Sequence, residues 1–421
     1  AAMGSTRRNL LQNMGYAAAL FGVPASAASG AVPPLPDRDL FLRDPEAFWK
    51  RIRDEQFLLP GWRAFLNNGS LGVAPRPVLA AVQDYLDRSA ELRIESGYPR
   101  WGYETLDEFR AELAQFFGCK KEELALTHNA TEAMCIVGNG LDLKPGDEVL
   151  MTDQEHTGGK GVWKMRQARH GITVREVPIP LPARNPEQLV DLMVSAIGSR
   201  TRVIMFSGIT SPTGLVMPIR QICEAARAKG VISVIDGAHV HGQIPFKYSE
   251  LGCDFMTGSP HKWVFAPAGC GMLYIREEML ERLWPTITND AWSDKSLKAA
   301  RFMMVGTNNR SIFEGLMAGL RLFQAIGPAL IYGRTHQLAR MVYERARKLP
   351  YARMITPDDD RLFAALTTFQ MRPEHFKRFH AECQKRRIWV HAADRMRVST
   401  HIHTRPQDLD LFFEVLDATA G

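Results

Sequence analysis

Residues 232–239 read Ile232-Ser233-Val234-Ile235-Asp236-Gly237-Ala238-His239, and residues 259–263 read Ser259-Pro260-His261-Lys262-Trp263. The first stretch is a short β-type run that stops at a carboxylate followed by glycine. A second short run, Phe255-Met256-Thr257, ends just before the serine-proline-histidine-lysine turn. Continuous apolar runs of this length suit strands buried on both faces. Asp236 and Lys262 would then stand just past the carboxyl ends of two nearby strands. Working outward, further β-type runs occur at 149–152, 172–174 and 202–206 upstream and at 270–275 downstream. Helical stretches are predicted at 185–198 and 218–229, the latter with Ile219, Ile222, Cys223 and Ala226 on one face. Strand, helix, strand at this spacing predicts an α/β domain with a mostly parallel sheet covered on both sides, which binds ligands at the carboxyl ends of its strands. After about residue 310 the pattern turns helix-rich, with an α+β tail ending in a helix at 406–418. The expected division is a large domain at 71–310, a smaller α+β C-terminal domain at 311–421, and a Pro-rich N-terminal arm at 31–70 with one amphipathic piece near 45–57.

The bulk properties fit this reading. The 421 residues suffice for a large and a small domain, and 45% hydrophobic with 23% charged residues is ordinary globular composition. The net charge of +6 contains no block of like charges, so no nucleic-acid-binding arm is expected. The six cysteines form neither a CxxC pair nor a zinc ladder and read as buried free thiols. Residues 1–30 read as a targeting segment: Arg7-Arg8, an apolar stretch from Met14 to Val23, and Ala25-Ser26-Ala27 as a small-residue cleavage site. The stretch is too short to span a bilayer, which needs about 20 residues. The arginine pair resembles a twin-arginine signal, with Leu10 where Phe is commoner and Gln12 where Lys is commoner. Export of the folded protein to the periplasm is the expectation.

A lysine and an aspartate converging on one crevice have a specific chemical use. A primary amine forms an imine with an aldehyde, and a carboxylate at a pyridine nitrogen keeps that ring protonated and able to accept electrons. Those are the two requirements of pyridoxal 5′-phosphate (PLP), with Lys262 as the Schiff-base lysine and Asp236 as the ring partner. A surface lysine and a strand-end N-cap aspartate are the plainer alternative.

The motifs Leu66-Asn67-Asn68-Gly69-Ser70, Thr127-His128-Asn129-Ala130-Thr131-Glu132-Ala133, Gln154-Glu155-His156, Ile209-Thr210-Ser211-Pro212-Thr213-Gly214, Asp236-Gly237-Ala238-His239, Ser259-Pro260-His261-Lys262, Gly306-Thr307-Asn308 and Arg397-Val398-Ser399 occur in that order. Together they resemble fold-type-I, class V aminotransferase-like PLP enzymes, within them the isopenicillin-N-epimerase-like branch, from about Leu66 to Phe413. The resemblance implies roles for residues. Ala130 and Thr131 would open a helix whose amides and hydroxyl hold the phosphate. Ser259 and His261 would add phosphate donors, and His156 would stack on the pyridine face and take part in catalysis. His239 would lie near the ring hydroxyl, and Ser211 would touch ring or substrate. Thr307 would reach the phosphate of a neighbouring subunit, making the enzyme a homodimer with shared sites. Arg397 would grip the substrate carboxylate through two parallel hydrogen bonds, with Asn68 and Arg100 as further substrate contacts.

Class V cysteine desulfurases carry a nucleophilic cysteine in the segment before the arginine. Here that segment is Val390-His391-Ala392-Ala393-Asp394, and Cys383 falls in an amphipathic helix, which argues against desulfurase chemistry. An exported member of this branch resembles the periplasmic PLP enzymes that tailor the pyoverdine siderophore. These act on the free α-amino-acid end of a glutamyl side chain, giving a succinamide by oxidative decarboxylation or a keto acid by transamination. A periplasmic aminotransferase or an amino-acid or peptide epimerase is the alternative. More remote are a non-catalytic binding protein and a metalloenzyme built on His239-Val240-His241 and His401-Ile402-His403, where period-two spacing on a strand would put each pair on one face. No metal is expected in the site.

Overall fold

The computed structural model describes residues 34–91 and 105–419. The expected targeting segment at 1–30 and the expected substrate contact Arg100 lie outside these residues. The strands are β1 (Ala64–Leu66), β2 (Leu124–Thr127), β3 (Glu148–Thr152), β4 (Thr173–Val177), β5 (Thr201–Ser207), β6 (Ile232–Asp236), β7 (Phe255–Gly258) and β8 (Gly271–Ile275), then β9 (Arg353–Met354), β10 (Leu366–Gln370), β11 (Ile388–Ala392) and β12 (Met396–Ser399).

A seven-stranded sheet has the order β2-β8-β7-β6-β5-β3-β4. Strands β4, β3, β5, β6 and β7 are mutually parallel, and β8 runs antiparallel to both of its neighbours. Strand β2 therefore runs in the same direction as β7, and its carboxyl end lies on the same edge. The strands β2, β3, β6, β7 and β8 are buried along their whole length, which is why they read as apolar runs and not as alternating patterns. The helix Ile219–Ala228 buries Ile219, Ile222, Cys223 and Ala226, the expected face.

The second sheet, of order β1-β11-β12-β10-β9, has its own core of Leu338, Val342, Phe369, Phe379, Met396, Val398 and Phe412. Its edge strand β1 lies inside the segment read as an N-terminal arm and pairs in parallel with β11. Three residues carry no periodic signal, so pairing with a strand more than 300 residues away is what makes this segment a strand. The helix Ser311–Ile326 buries Phe313, Leu316, Leu320 and Phe323 in the core of the first sheet. No single helix among the described residues is long and apolar enough to cross a membrane.

The histidine pairs considered for a metal are not on strands. Val240 N donates to Gly237 O, winding the chain into a turn after β6. His241 Nδ1 and Nε2 then bond Gly237 O (2.9 Å) and Tyr248 Oη (2.5 Å), while His239 faces Lys262. His401 and His403 also lie in a turn and bond Trp263 O and Asn68 Oδ1. Among the described residues no group of three or more His, Cys, Asp or Glu is placed to hold a metal ion.

Candidate active site

The carboxyl edge of the large sheet assembles the site. Strand β6 ends at Asp236; β7 leads through Ser259 into the single turn Pro260–Trp263 that carries Lys262. Strand β3 leads to Glu155 and His156, β5 to Ile209 and Ser211, and β2 to Asn129 and the helix Ala130–Gly140. The second sheet contributes Arg397 on β12 and His391 on β11. All of these line one cavity of ≈ 500 Å³, within the usual range for small-molecule sites.

Lys262 Nζ lies 3.0 Å from His239 Nε2. Burial brings its amine down to about 8, with Asp236 opposing the shift and Arg397 reinforcing it. About a tenth of the amine is thus neutral at pH 7, far more than for an ordinary lysine, and the neutral form is what an imine-forming lysine needs. The turn bearing it is clasped by residues 67–72: Asn68 Nδ2 donates to Lys262 O (2.6 Å) and Gly72 N to His261 O (3.0 Å). Asn68 Oδ1 meets His403 Nε2 at 3.3 Å, and Asn68 is 1% exposed. The expected substrate contact is therefore corrected: Asn68 does not line the cavity, because its amide is engaged at both ends, Nδ2 by the lysine turn and Oδ1 by His403.

The residues fit PLP. Asp236 is 6% exposed, and its Oδ1 accepts from Ala238 N (3.0 Å). A Cβ at Gly159 would come within 2.8 Å of Asp236 Oδ2 and 2.9 Å of Met205 Cε. Only glycine leaves that wall flat beside the carboxylate. The eleven-residue helix Ala130–Gly140 is capped by Asn129, whose side chain accepts from Glu132 N. Ala130 N donates to Ser259 Oγ (3.2 Å), tying this N-terminus to the lysine turn. Ala130, Thr131 and Ser259 line the site around this helix N-terminus, a donor set suited to a phosphate, and His261 lines it beside them. His261 spends its Nδ1–H on Cys270 O (2.8 Å), so its Nε2 donates to an anion only as the imidazolium. His156 lines the cavity and caps the helix Thr157–His170, its Nδ1 accepting from Gly158 N (3.0 Å). Partial burial and then Lys262 depress its pKa, so the ring is neutral.

Arg397 is 4% exposed and pairs with no carboxylate among the described residues. Its Nη1 donates to Ser211 O (2.7 Å) and Oγ (3.2 Å), its Nη2 to Ser70 Oγ (2.8 Å) and Asn67 Oδ1 (3.2 Å), and its buried Nε has no partner. Burial lowers its pKa to about 10. Ser211 thus lines the cavity and orients Arg397. Thr307 is exposed and does not line the cavity of its own chain; its neighbour Asn308 accepts at Oδ1 from His128 Nε2 (3.0 Å).

Residues 65–407 match the aminotransferase class-V family. The chain belongs to that family. It is 30% identical to an isopenicillin N epimerase of Streptomyces clavuligerus over 400 residues, 89% of this chain and 99% of that enzyme. Among solved structures, a complex of the cystine C-S lyase C-DES with cysteine persulfide superposes with a TM-score of 0.74 at 26% identity, covering 84% of this chain and 97% of that one. A C-DES mutant with glycine covalently linked to its PLP cofactor gives 0.74 at 25% identity, covering 91% and 99%. The protein is a PLP-dependent enzyme of fold type I.

Three cavity residues of this class-V chain escape sequence reasoning. Glu155 stands inside a quoted motif, yet only the fold buries it beneath Asp236's strand edge. It accepts hydrogen bonds from Thr152 Oγ1 (2.5 Å) and Ser207 Oγ (2.6 Å), and burial pushes its pKa up to about 7 despite them. Ser70 reaches Arg397 from the segment after β1. His391 occupies the segment where desulfurases carry cysteine and pairs across the sheet with Arg397. Cys383 is buried in the helix Pro373–Lys385, away from the cavity, its thiol pushed up to about 12 by burial. All six cysteines are free.

Proposed function

We propose that the protein acts on the free α-amino-acid end of its substrate, with Lys262 as the covalent and proton-transfer residue and Arg397 as the carboxylate anchor. The observation that carries this reading is an unpaired, buried guanidinium sharing one cavity with a depressed-pKa lysine and a buried aspartate. When bound, PLP supplies an aldehyde for the substrate amine and a ring that takes up electrons from the carbon bearing it. Asp236 would hold a proton at the ring nitrogen. Thr131 and Ser259 would hold the phosphate, and His156 would cover the ring face. Lys262, released by the incoming amine, would then carry the proton to or from the substrate carbon.

The substrate we propose is the glutamyl end of a pyoverdine-type siderophore precursor in the periplasm, converted to a succinamide by oxidative decarboxylation. The twin-arginine-like pattern at Arg7-Arg8 supports export. The exposed Thr307, and the apolar Leu71, Leu79 and Leu86 at 47%, 41% and 44% exposure, support assembly into a homodimer. Epimerisation is the second reading, favoured by the 30% identity to an isopenicillin N epimerase.

Incubating holoenzyme with a glutamyl-capped precursor separates these outcomes. Loss of CO2 with oxidation supports the first reading, and exchange of amine for ketone indicates transamination. Unchanged mass with inverted configuration indicates epimerisation. Unchanged mass and configuration remove the siderophore substrate. Borohydride reduction followed by peptide mapping tests the common core: the cofactor mass belongs on Lys262, and its attachment elsewhere would overturn the assignment.

A further inference from the structure

Trp263 follows the lysine and is fully buried. Its indole Nε1–H donates to His239 Nδ1 at 3.3 Å, and His239 Nε2 lies 3.0 Å from Lys262 Nζ. Indole nitrogen donates and never accepts. His239 Nδ1 must therefore present its lone pair to Trp263. A neutral imidazole with a lone pair on Nδ1 carries its hydrogen on Nε2, and that hydrogen is aimed at the lysine nitrogen. An ammonium has no lone pair to receive it; a neutral amine has one.

We propose that Trp263 is a positioning residue that fixes His239 as the Nε2–H tautomer and thereby holds Lys262 as a neutral amine, the form that attacks an aldehyde. The inference rests on the PLP reading and deepens it. In capture, the amine's lone pair forms the new bond to the aldehyde carbon, and the aldehyde oxygen leaves as water with the two amine hydrogens. The alternative in which Nε2 accepts from an ammonium would need Nδ1–H, which would set two donors against each other at 3.3 Å.

The surroundings agree. His239 is 2% exposed, and burial holds its pKa well below the ordinary value. It is therefore not an imidazolium that could donate from both nitrogens. Gln243 fixes its backbone, Nε2 donating to His239 O (2.9 Å) while Oε1 accepts from Ala365 N (3.0 Å). Other charged or titratable groups around Lys262 are Asp236, which favours the ammonium, and Arg397, which opposes it, with the depressed-pKa rings of His156 and His261 alongside. Among the described residues, His239, oriented by Trp263, is the group that hydrogen-bonds Nζ directly.

The test uses the full chain freed of PLP and measures the rate of PLP capture against pH, followed by the appearance of the yellow band and borohydride trapping on Lys262. Wild type should give a midpoint near pH 8, the value burial sets for the amine. Trp263→Phe keeps an aromatic ring beside His401 and removes the N–H together with part of the indole's buried area. His239 is then free to adopt the other tautomer and accept from the ammonium. The midpoint should rise by roughly 0.5–1 pH unit, the equivalent of one ordinary hydrogen bond. PLP's own ionisations are common to both proteins and cancel in the comparison. An unchanged midpoint in a folded variant that still traps PLP on Lys262 overturns the inference and leaves the PLP reading intact. Should the variant not fold, ¹⁵N-histidine NMR of the wild-type chain decides: His239 as the Nε2–H tautomer supports the lock, and Nδ1–H refutes it.

Discussion

Removing the guanidinium at position 397 should cost a substrate its carboxylate anchor and leave the chemistry at its amine largely in place. Two of the four hydrogen bonds Arg397 makes to the protein are close, to Ser211 O and Ser70 Oγ at 2.7 and 2.8 Å; the two to Ser211 Oγ and Asn67 Oδ1 are at 3.2 Å. The longer pair is the pair a carboxylate would displace. Without an acidic neighbour the buried guanidinium's pKa falls to about 10, a departure from the ordinary arginine range that corresponds to roughly 3 kcal/mol. An arriving carboxylate recovers solvation energy of this order, and two bonds to an anionic acceptor in exchange for two long ones to neutral oxygens give a similar figure. Arg397→Ala should therefore lower kcat/KM for an amino-acid substrate by roughly 150-fold. Arg397→Lys keeps the charge but offers a point donor in place of a fork, and should lose roughly 10- to 30-fold. The control is the matching amine without a carboxylate, for which both variants should fall by less than about threefold. The assay is steady-state kinetics on both substrates, with the holoenzyme absorption band confirming an intact cofactor site. Equal losses on amino acid and amine would refute the anchor and leave Arg397 a purely structural residue.

Two further outcomes follow from the same geometry, and a third from the proposed homodimer. Glu155, its pKa raised to about 7 by burial, binds its proton more tightly folded than unfolded, so its contribution is greatest at low pH and declines from about pH 4 to pH 7. Glu155→Gln should consequently flatten the stability–pH curve in that window and be more stable than wild type at pH 8 by ~1–3 kcal/mol in urea titrations; a parallel curve would contradict the buried protonated acid. His128 is raised to about 9, chiefly by its hydrogen bond to Glu132, so its stabilising share is full below about pH 6.5 and disappears as pH climbs toward 9. The difference in Tm between wild type and His128→Ala should shrink over that range, and a difference independent of pH would exclude the charged pair. Neither Lys262→Ala nor Thr307→Ala should be active alone, but mixing them after subunit exchange should restore up to about a quarter of wild-type activity by forming mixed dimers; no recovery despite exchange would show that Thr307 does not serve a neighbour's site.

How much of this was legible in the chain can be judged residue by residue. Lys262, Asp236 and the flanking β-type runs could be read because a strand buried on both faces is a contiguous apolar word, and chemistry placed at its end interrupts that word. The helix Ile219–Ala228 could be read because its buried face recurs at helical spacing. By contrast, β1 is three residues long and acquires its identity only from β11. Asn68 looked like a substrate contact, and His239-Val240-His241 looked like one strand face. A backbone turn at Gly237 and two competing hydrogen-bond partners decided otherwise. The sequence by itself determined the local alphabet: which segments bury, where the sheet's carboxyl edge lies, and which amine and carboxylate stand there. Only the tertiary structure decided what those groups experience, because desolvation and hydrogen-bond direction depend on atoms brought in from far along the chain. Arg397 is left without an acid by the segment after β1 and the loop after β5, and Lys262 meets His239 through a turn. Neither environment has a period that a linear reading could detect.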